Sequence, residues 1–171
     1  AIFMYQTIPS SNSLYLGGNT EYFGLQGRLT FTERFSFVLH KLGGQIINPG
    51  SGSGVGSATG FSEIHLGPKF NFWRDEDQQI LGSAGLIFQL PFGSAKVYQD
   101  TGTLSLVPYF SFAMRLAKTP IGTFNLMNTV GYSFGTNTNR SDYLYDTFHL
   151  DVNLFDRGRF YPFVEMSWFR Y

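Results

Sequence analysis

The chain contains no cysteine, which excludes disulfides and thiolate metal sites. It also has little charge: Asp, Glu, Lys and Arg make up 14% of its 171 residues, against roughly 25% in soluble domains. Neither sign is in excess, because 12 basic residues balance 12 acidic ones. There is no basic arm, and so no electrostatic footprint for nucleic acid. No apolar run reaches the roughly eighteen residues that a membrane-spanning helix needs. Nor does a basic, apolar, small-residue leader open the chain, which therefore reads as a mature form or an excerpt of a longer one.

Aromatic rings are abundant. Nineteen Phe and ten Tyr bring aromatics to 18%. A water-soluble protein so poor in charge and so rich in rings has little with which to cover its surface, whereas a lipid-facing one has no such need. The length suits one domain, and a barrel of about eight to ten strands fits within it. A near-neutral mean hydropathy is compatible with a barrel, since lipid-facing and lumen-facing residues alternate and average out.

Period-two alternation dominates. In the segment 103–116, Leu104, Leu106, Phe110, Phe112, Met114 and Leu116 share one phase, and Thr103, Ser105, Tyr109, Ser111, Ala113 and Arg115 the other. Successive side chains of a strand point to opposite faces, so one face here is apolar and the other small or polar. The length exceeds the five or six residues usual in soluble strands and suits a tilted membrane strand of about nine to eleven. The same pattern recurs at 22–31, 35–47, 61–73, 78–90, 123–134, 143–154 and 160–171, making eight amphipathic strands. Residues 1–9 add a ninth.

The connections alternate in length. Short ones at 32–34, 74–77, 117–122 and 155–159 interleave with longer ones at 48–60, 92–102 and 135–142, the arrangement of short periplasmic turns and long extracellular loops. The expected fold is therefore an all-β, antiparallel, up-and-down transmembrane barrel in a single domain. Nine strands are visible in it, of ten or more in a longer chain, because the last strand rises towards the long-loop side while bacterial barrels have an even strand number. Pro68, Pro108 and Pro162 fall on the outward phase, where a missing ladder donor predicts bulges or local breaks. Tyr132, Phe134, Tyr143, Tyr145, Trp73, Trp168 and Tyr171 lie near strand ends and are candidates for interfacial girdles.

From residue 60 onwards the chain resembles a large family of bacterial outer-membrane barrels labelled "putative MetA-pathway of phenol degradation". The stretches that carry the likeness are GFSEIHLGPKFNF, GLIFQLPFGSAK and GTLSLVPYFSFA, with the pattern falling on Glu63, Leu66, Gly67, Lys69, Phe70, Pro91, Gly93, Ser94 and Pro108. YQTIPSS near the start and HKLGG at 40–44 look similar to a planctomycete branch of these barrels. The resemblance covers about two thirds of the chain. It implies the barrel fold and a bacterial outer-membrane location, and it implies transport only loosely.

The candidate functional residues are the charged and imidazole side chains on the inner phase: Arg28, His40, Glu63, His65, Lys69, Arg115, His149, Asp151 and Glu165. His149 and Asp151 share a face, and if Leu154 pairs with Phe160 across the turn, His149 sits opposite Glu165. A histidine between two carboxylates can hold an ion or act as a base, although a hydrogen-bonded network inside the barrel is the commoner arrangement. Glu63 and His65 form a similar pair. In a narrow barrel these groups would cross-link and plug the middle; in a wide one they would line water and tune selectivity. No G-x-S-x-G nucleophile motif and no H-E-x-x-H ligand set is present. The glycine-rich GSGSGVG at 50–56 lacks the Gly-Lys-Ser/Thr ending of a phosphate loop and reads as an exposed loop.

The sequence thus favours a passive, non-enzymatic outer-membrane channel or transporter for small compounds, hydrophobic ones included. It needs no cofactor, and its partners are membrane lipid and permeant. The alternative is a plugged structural or interaction barrel anchoring surface loops or envelope partners. A hydrolase lacks its motif. A soluble lipid carrier with the apolar face turned inward would show the same periodicity, and strand length, loop sorting and scarce charge oppose it.

Overall fold

The structure is a computed structural model describing residues 1–100, 102–138 and 140–171. Thr101 and Asn139, which fall within two of the expected loops, lie outside the described residues. The chain folds into one antiparallel sheet of β1 (Ile2–Thr7), β2 (Gly18–Thr30), β3 (Phe35–Pro49), β4 (Ala58–Phe61), β5 (Ile64–Asp75), β6 (Ile80–Leu90), β7 (Ser105–Thr119), β8 (Gly122–Gly135), β9 (Tyr143–Leu154) and β10 (Phe163–Arg170). Each strand pairs with its neighbour in the chain, except that β3 pairs with both β4 and β5. β4 and β5 together make the single strand expected at 61–73. Lys41 faces His65 and Gly44 faces Phe61, so Ser62, Glu63 and Ile64 oppose only Leu42 and Gly43. The extra residue interrupts the ladder.

The sheet is curled into a half-barrel, as one contact makes plain. The rings of His40 on β3 and Tyr109 on β7 meet edge-on with centroids 6.0 Å apart, although β5 and β6 lie between their strands. On a flat sheet three strand steps of about 4.8 Å would separate them by roughly 14 Å. β1 and β10 form the two edges.

The two faces differ in the way the alternation predicts. Buried side chains are mostly small and polar, among them Ser36, Ser62, Ser83, Ser105 and Ser133. Large apolar ones stand exposed, with Phe110 at 61%, Leu29 at 62% and Val164 at 72%. The apolar rows therefore cover the outside of the curl, which is the reverse of a lipid carrier's arrangement. The outer face also carries one polar pair on β8 and β9, Asn128 donating to Asp146 at 2.5 Å.

Pro68 and Pro108 each break the ladder locally on one side without a bulge: Gly67 and Pro68 have no partner on β6, and Val107 and Pro108 none on β8. Phe37 pairs with Pro68 and Leu86 with Pro108 without a register shift. Each proline gives up one inter-strand hydrogen bond and the strand continues. The register shifts lie elsewhere, between Leu25 and Gly27, Leu39 and Lys41, Asn71 and Trp73, and Arg115 and Ala117. They matter for the faces. The shift in β3 puts His40 and Lys41 on the inner side together. The shift in β5 lets Phe72 and Trp73 share the outer side, where they meet Phe110 and Phe112 with centroids 6.5 and 6.1 Å apart. Pro162 does precede a strand start, although Val152 and Leu154 donate to the carbonyls of Pro162 and Phe160 and extend the ladder towards the turn.

Close backbone approach makes Gly67 indispensable. A Cβ on Gly67 would stand 1.8 Å from the Leu86 carbonyl oxygen, which the flanking rungs Leu66–Phe88 and Lys69–Gly85 hold in place. Gly67→Ala is expected to destabilise the protein by about 3 kcal/mol, measured by denaturant unfolding. Gly27→Ala, with nothing within 4 Å of the added carbon, serves as the near-neutral control.

Candidate functional site

The candidate site is the inner face of the curl. All nine residues expected to line it have inner-phase positions, and they fall into groups on different strands.

The first group joins β3 and β5 to the long-loop end. Glu63, with only 4% of its side chain exposed, accepts from Arg140 Nη1 at 3.1 and 3.2 Å and lies 3.2 Å from His65 Nε2. Arg140 belongs to the β8–β9 loop, so this ion pair draws that loop over the inner space. Lys41 Nζ donates to Gln99 Oε1 at 2.7 Å and ties the β6–β7 loop to the same region. Thr103 donates to Asn137 at 2.5 Å, linking the two loops. Alternation alone assigns Lys41 to the outer face, and Arg140 lies outside any strand pattern, so neither was predictable. A bulge brings in the first and a loop the second.

The second group is on β9 and β10. His149 pairs with Glu165 in register, and Leu154 donates to the Phe160 carbonyl, as the sequence argument required. His149 Nδ1 lies 3.1 Å from Glu165, and Nε2 lies 3.5 Å from Asp151, which accepts from Asn125 at 2.8 Å. Phe163 stacks on the imidazole with centroids 5.0 Å apart. Among the described residues no group of three or more His, Asp or Glu side chains has metal-holding geometry.

Arg28 on β2 and Lys69 on β5 make no ion pair or side-chain hydrogen bond among the described residues. Arg115 on β7 donates to Gln79 Oε1 at 3.0 Å near the short-turn end. There a cleft of about 870 Å³ is rimmed by Arg74, Arg115, Lys118, Asp151 and Asp156. Lys118 and Asp156 pair at 3.4 Å. A hydrogen bond from Thr123, followed by Lys118, holds the Asp156 carboxyl below its ordinary range.

Between these groups the inner wall is built from rings laid on glycine. Gly85, Tyr109, Gly131 and Tyr145 are successive partners across β6 to β9. A Cβ on Gly85 would stand 2.4 Å from the Tyr109 ring, and one on Gly131 2.6 Å from that of Tyr145. Tyr143 and Tyr145 gather with Phe169 and Tyr171 at centroid distances of 5.6–6.4 Å. Tyr143, Tyr145 and Tyr171 thus lie on the inner phase with His149, which corrects their assignment to an interfacial girdle: two-residue spacing puts Tyr145 on the face of Thr147 and His149. Trp73, Tyr132, Phe134 and Trp168 keep outer positions.

His40 Nε2, Gln89 Oε1, Ser105 Oγ and Tyr109 Oη are buried and have no protein partner among the described residues. Comparison with family models, with curated proteins and with solved structures finds no match to this chain.

Proposed function

We propose that this chain forms the wall of a bacterial outer-membrane β-barrel, acting as a passive channel or transporter for small compounds rather than as an enzyme. One observation carries the reading: apolar side chains cover the convex face and are exposed, while small polar, charged and imidazole groups occupy the concave one. Acyl chains suit the first surface and water with dissolved solutes the second. The small polar and charged groups of the concave face favour polar permeants over hydrophobic ones, since an apolar solute would desolvate them without replacing their hydrogen bonds.

Purified protein in liposomes should admit small polar solutes, and impermeability to all of them would overturn the channel reading. A plugged structural barrel is the second reading, favoured by the ties of Arg140 to Glu63 and of Lys41 to Gln99. Those ties draw two long loops over the same end. If they close it, Arg140→Ala raises conductance well above that of the native protein in planar bilayers; if the mouth is already open, conductance stays within about twofold.

A further inference from the structure

A row of hydroxyls crosses the inner face in register. Ser83 pairs with Ser111, Ser111 with Thr129, Thr129 with Thr147 and Thr147 with Ser167. Ser111 and Thr129 are hydrogen-bonded at 2.8 Å, and Thr147 and Ser167 at 3.1 Å. The four hydroxyls from Ser83 to Thr147 line a cavity of about 190 Å³. At one end of this cavity stands Lys69, on β5; at the other stand His149 and Glu165, on β9 and β10. The curl of the sheet thus sets a cation without a carboxylate partner opposite a carboxylate, with neutral donors and acceptors between.

The same division extends beyond the cavity. Arg28 and Lys41 stand on the Lys69 side, where Glu63 is held by Arg140. Asp151 stands on the Glu165 side, where His149 is the only cationic candidate within ion-pair distance of either carboxylate among the described residues. Arg115 lies further towards the short turns, bonded to Gln79.

We infer that this cavity is a binding station for a small zwitterion, which places its carboxylate on Lys69 and its ammonium on Glu165 while the hydroxyl row bonds the atoms between. A neutral solute gains only the hydroxyls. An anion or a cation alone meets one matching end and one repelling end. A zwitterion with its charges separated by a short chain satisfies both ends, and the volume, roughly that of six liquid waters, admits something of dipeptide size. The inference rests on the channel reading and names the permeant class for it.

The test is swelling of liposomes carrying the protein, in glycylglycine and in N-acetylglycinamide, a neutral solute of similar size. The native protein is expected to pass glycylglycine about fivefold faster, the scale of one modest charge–charge contact. Lys69→Gln and Glu165→Gln should each bring the two rates together, and an unchanged far-ultraviolet circular dichroism spectrum of each variant in vesicles shows that it is folded. Equal rates in the native protein, or a preference that survives both substitutions, would overturn the zwitterion station and leave the channel standing. Failure of both solutes to enter would overturn the channel reading itself.

Discussion

Phe110→Lys is expected to destabilise the protein in a bilayer by about 2–4 kcal/mol, the range for a cation placed at mid-depth on the lipid face of a barrel. Phe110 is 61% exposed, and an exposed residue of a water-soluble domain would tolerate the change to within about 0.5 kcal/mol. The two environments therefore predict different results for one substitution. Phe110 is well suited because it lies in the middle of β7, paired with Ala84 and Val130, and its phase is occupied by Leu106, Phe112 and Met114. A lysine there has no nearby aqueous end to reach. Urea unfolding of the protein folded into vesicles, followed by the emission of Trp73 and Trp168, gives the difference directly. Arg115→Gln, on the inner phase and exposed, is the control with little effect. A Phe110→Lys protein as stable in vesicles as the native one would remove the membrane reading.

Arg140→Ala is expected to cost about 3 kcal/mol, towards the lower end for removing one partner of a buried ion pair. The reason is the position of Glu63. Its carboxylate is 4% exposed, and Arg140 supplies a formal charge to it, while His65 supplies one only when protonated. Without the guanidinium, either the carboxylate stays buried with a weaker set of partners or the β8–β9 loop lifts and admits water. In both cases the loss depends on the charge at Glu63. The double variant Glu63→Gln with Arg140→Ala should therefore be less destabilised than Arg140→Ala alone, because the neutral amide is cheaper to bury. If the two losses simply add, as they do for independent sites, the pair is not a structural tie. Amide hydrogen exchange across residues 136–142 would show whether the loop lifts, through faster exchange in the single variant.

Much of this architecture is legible in the chain itself, and the reason is local. Alternation at 103–116 places Phe110 and Ser111 on opposite faces because successive strand side chains point to opposite sides whatever the strand packs against. The pairing of His149 with Glu165 could be derived from the turn at 155–159, since a hairpin turn sets the register of the strands it joins. Tyr143 and Tyr145 show that an argument from strand ends alone misleads; counting in twos from Leu144 already gave their face. Pro68 and Pro108 interrupt one ladder each, as a missing donor requires, and make no bulge because the rungs on either side hold the register.

What the amino-acid order alone determined is the set of amphipathic strands, their order and the separation of polar from apolar phases, all consequences of a two-residue period and of short turns. Curvature, bulges and long-range pairing required the tertiary structure. Which phase faces inward depends on how the whole sheet bends, and periodicity is identical for either direction. The inner place of Lys41 depends on a register shift against β5, and the pairing of Arg140 with Glu63 on a loop folding across four strands. The opposition of Lys69 to Glu165 likewise arises only because residues far apart in the chain face each other once the sheet curls.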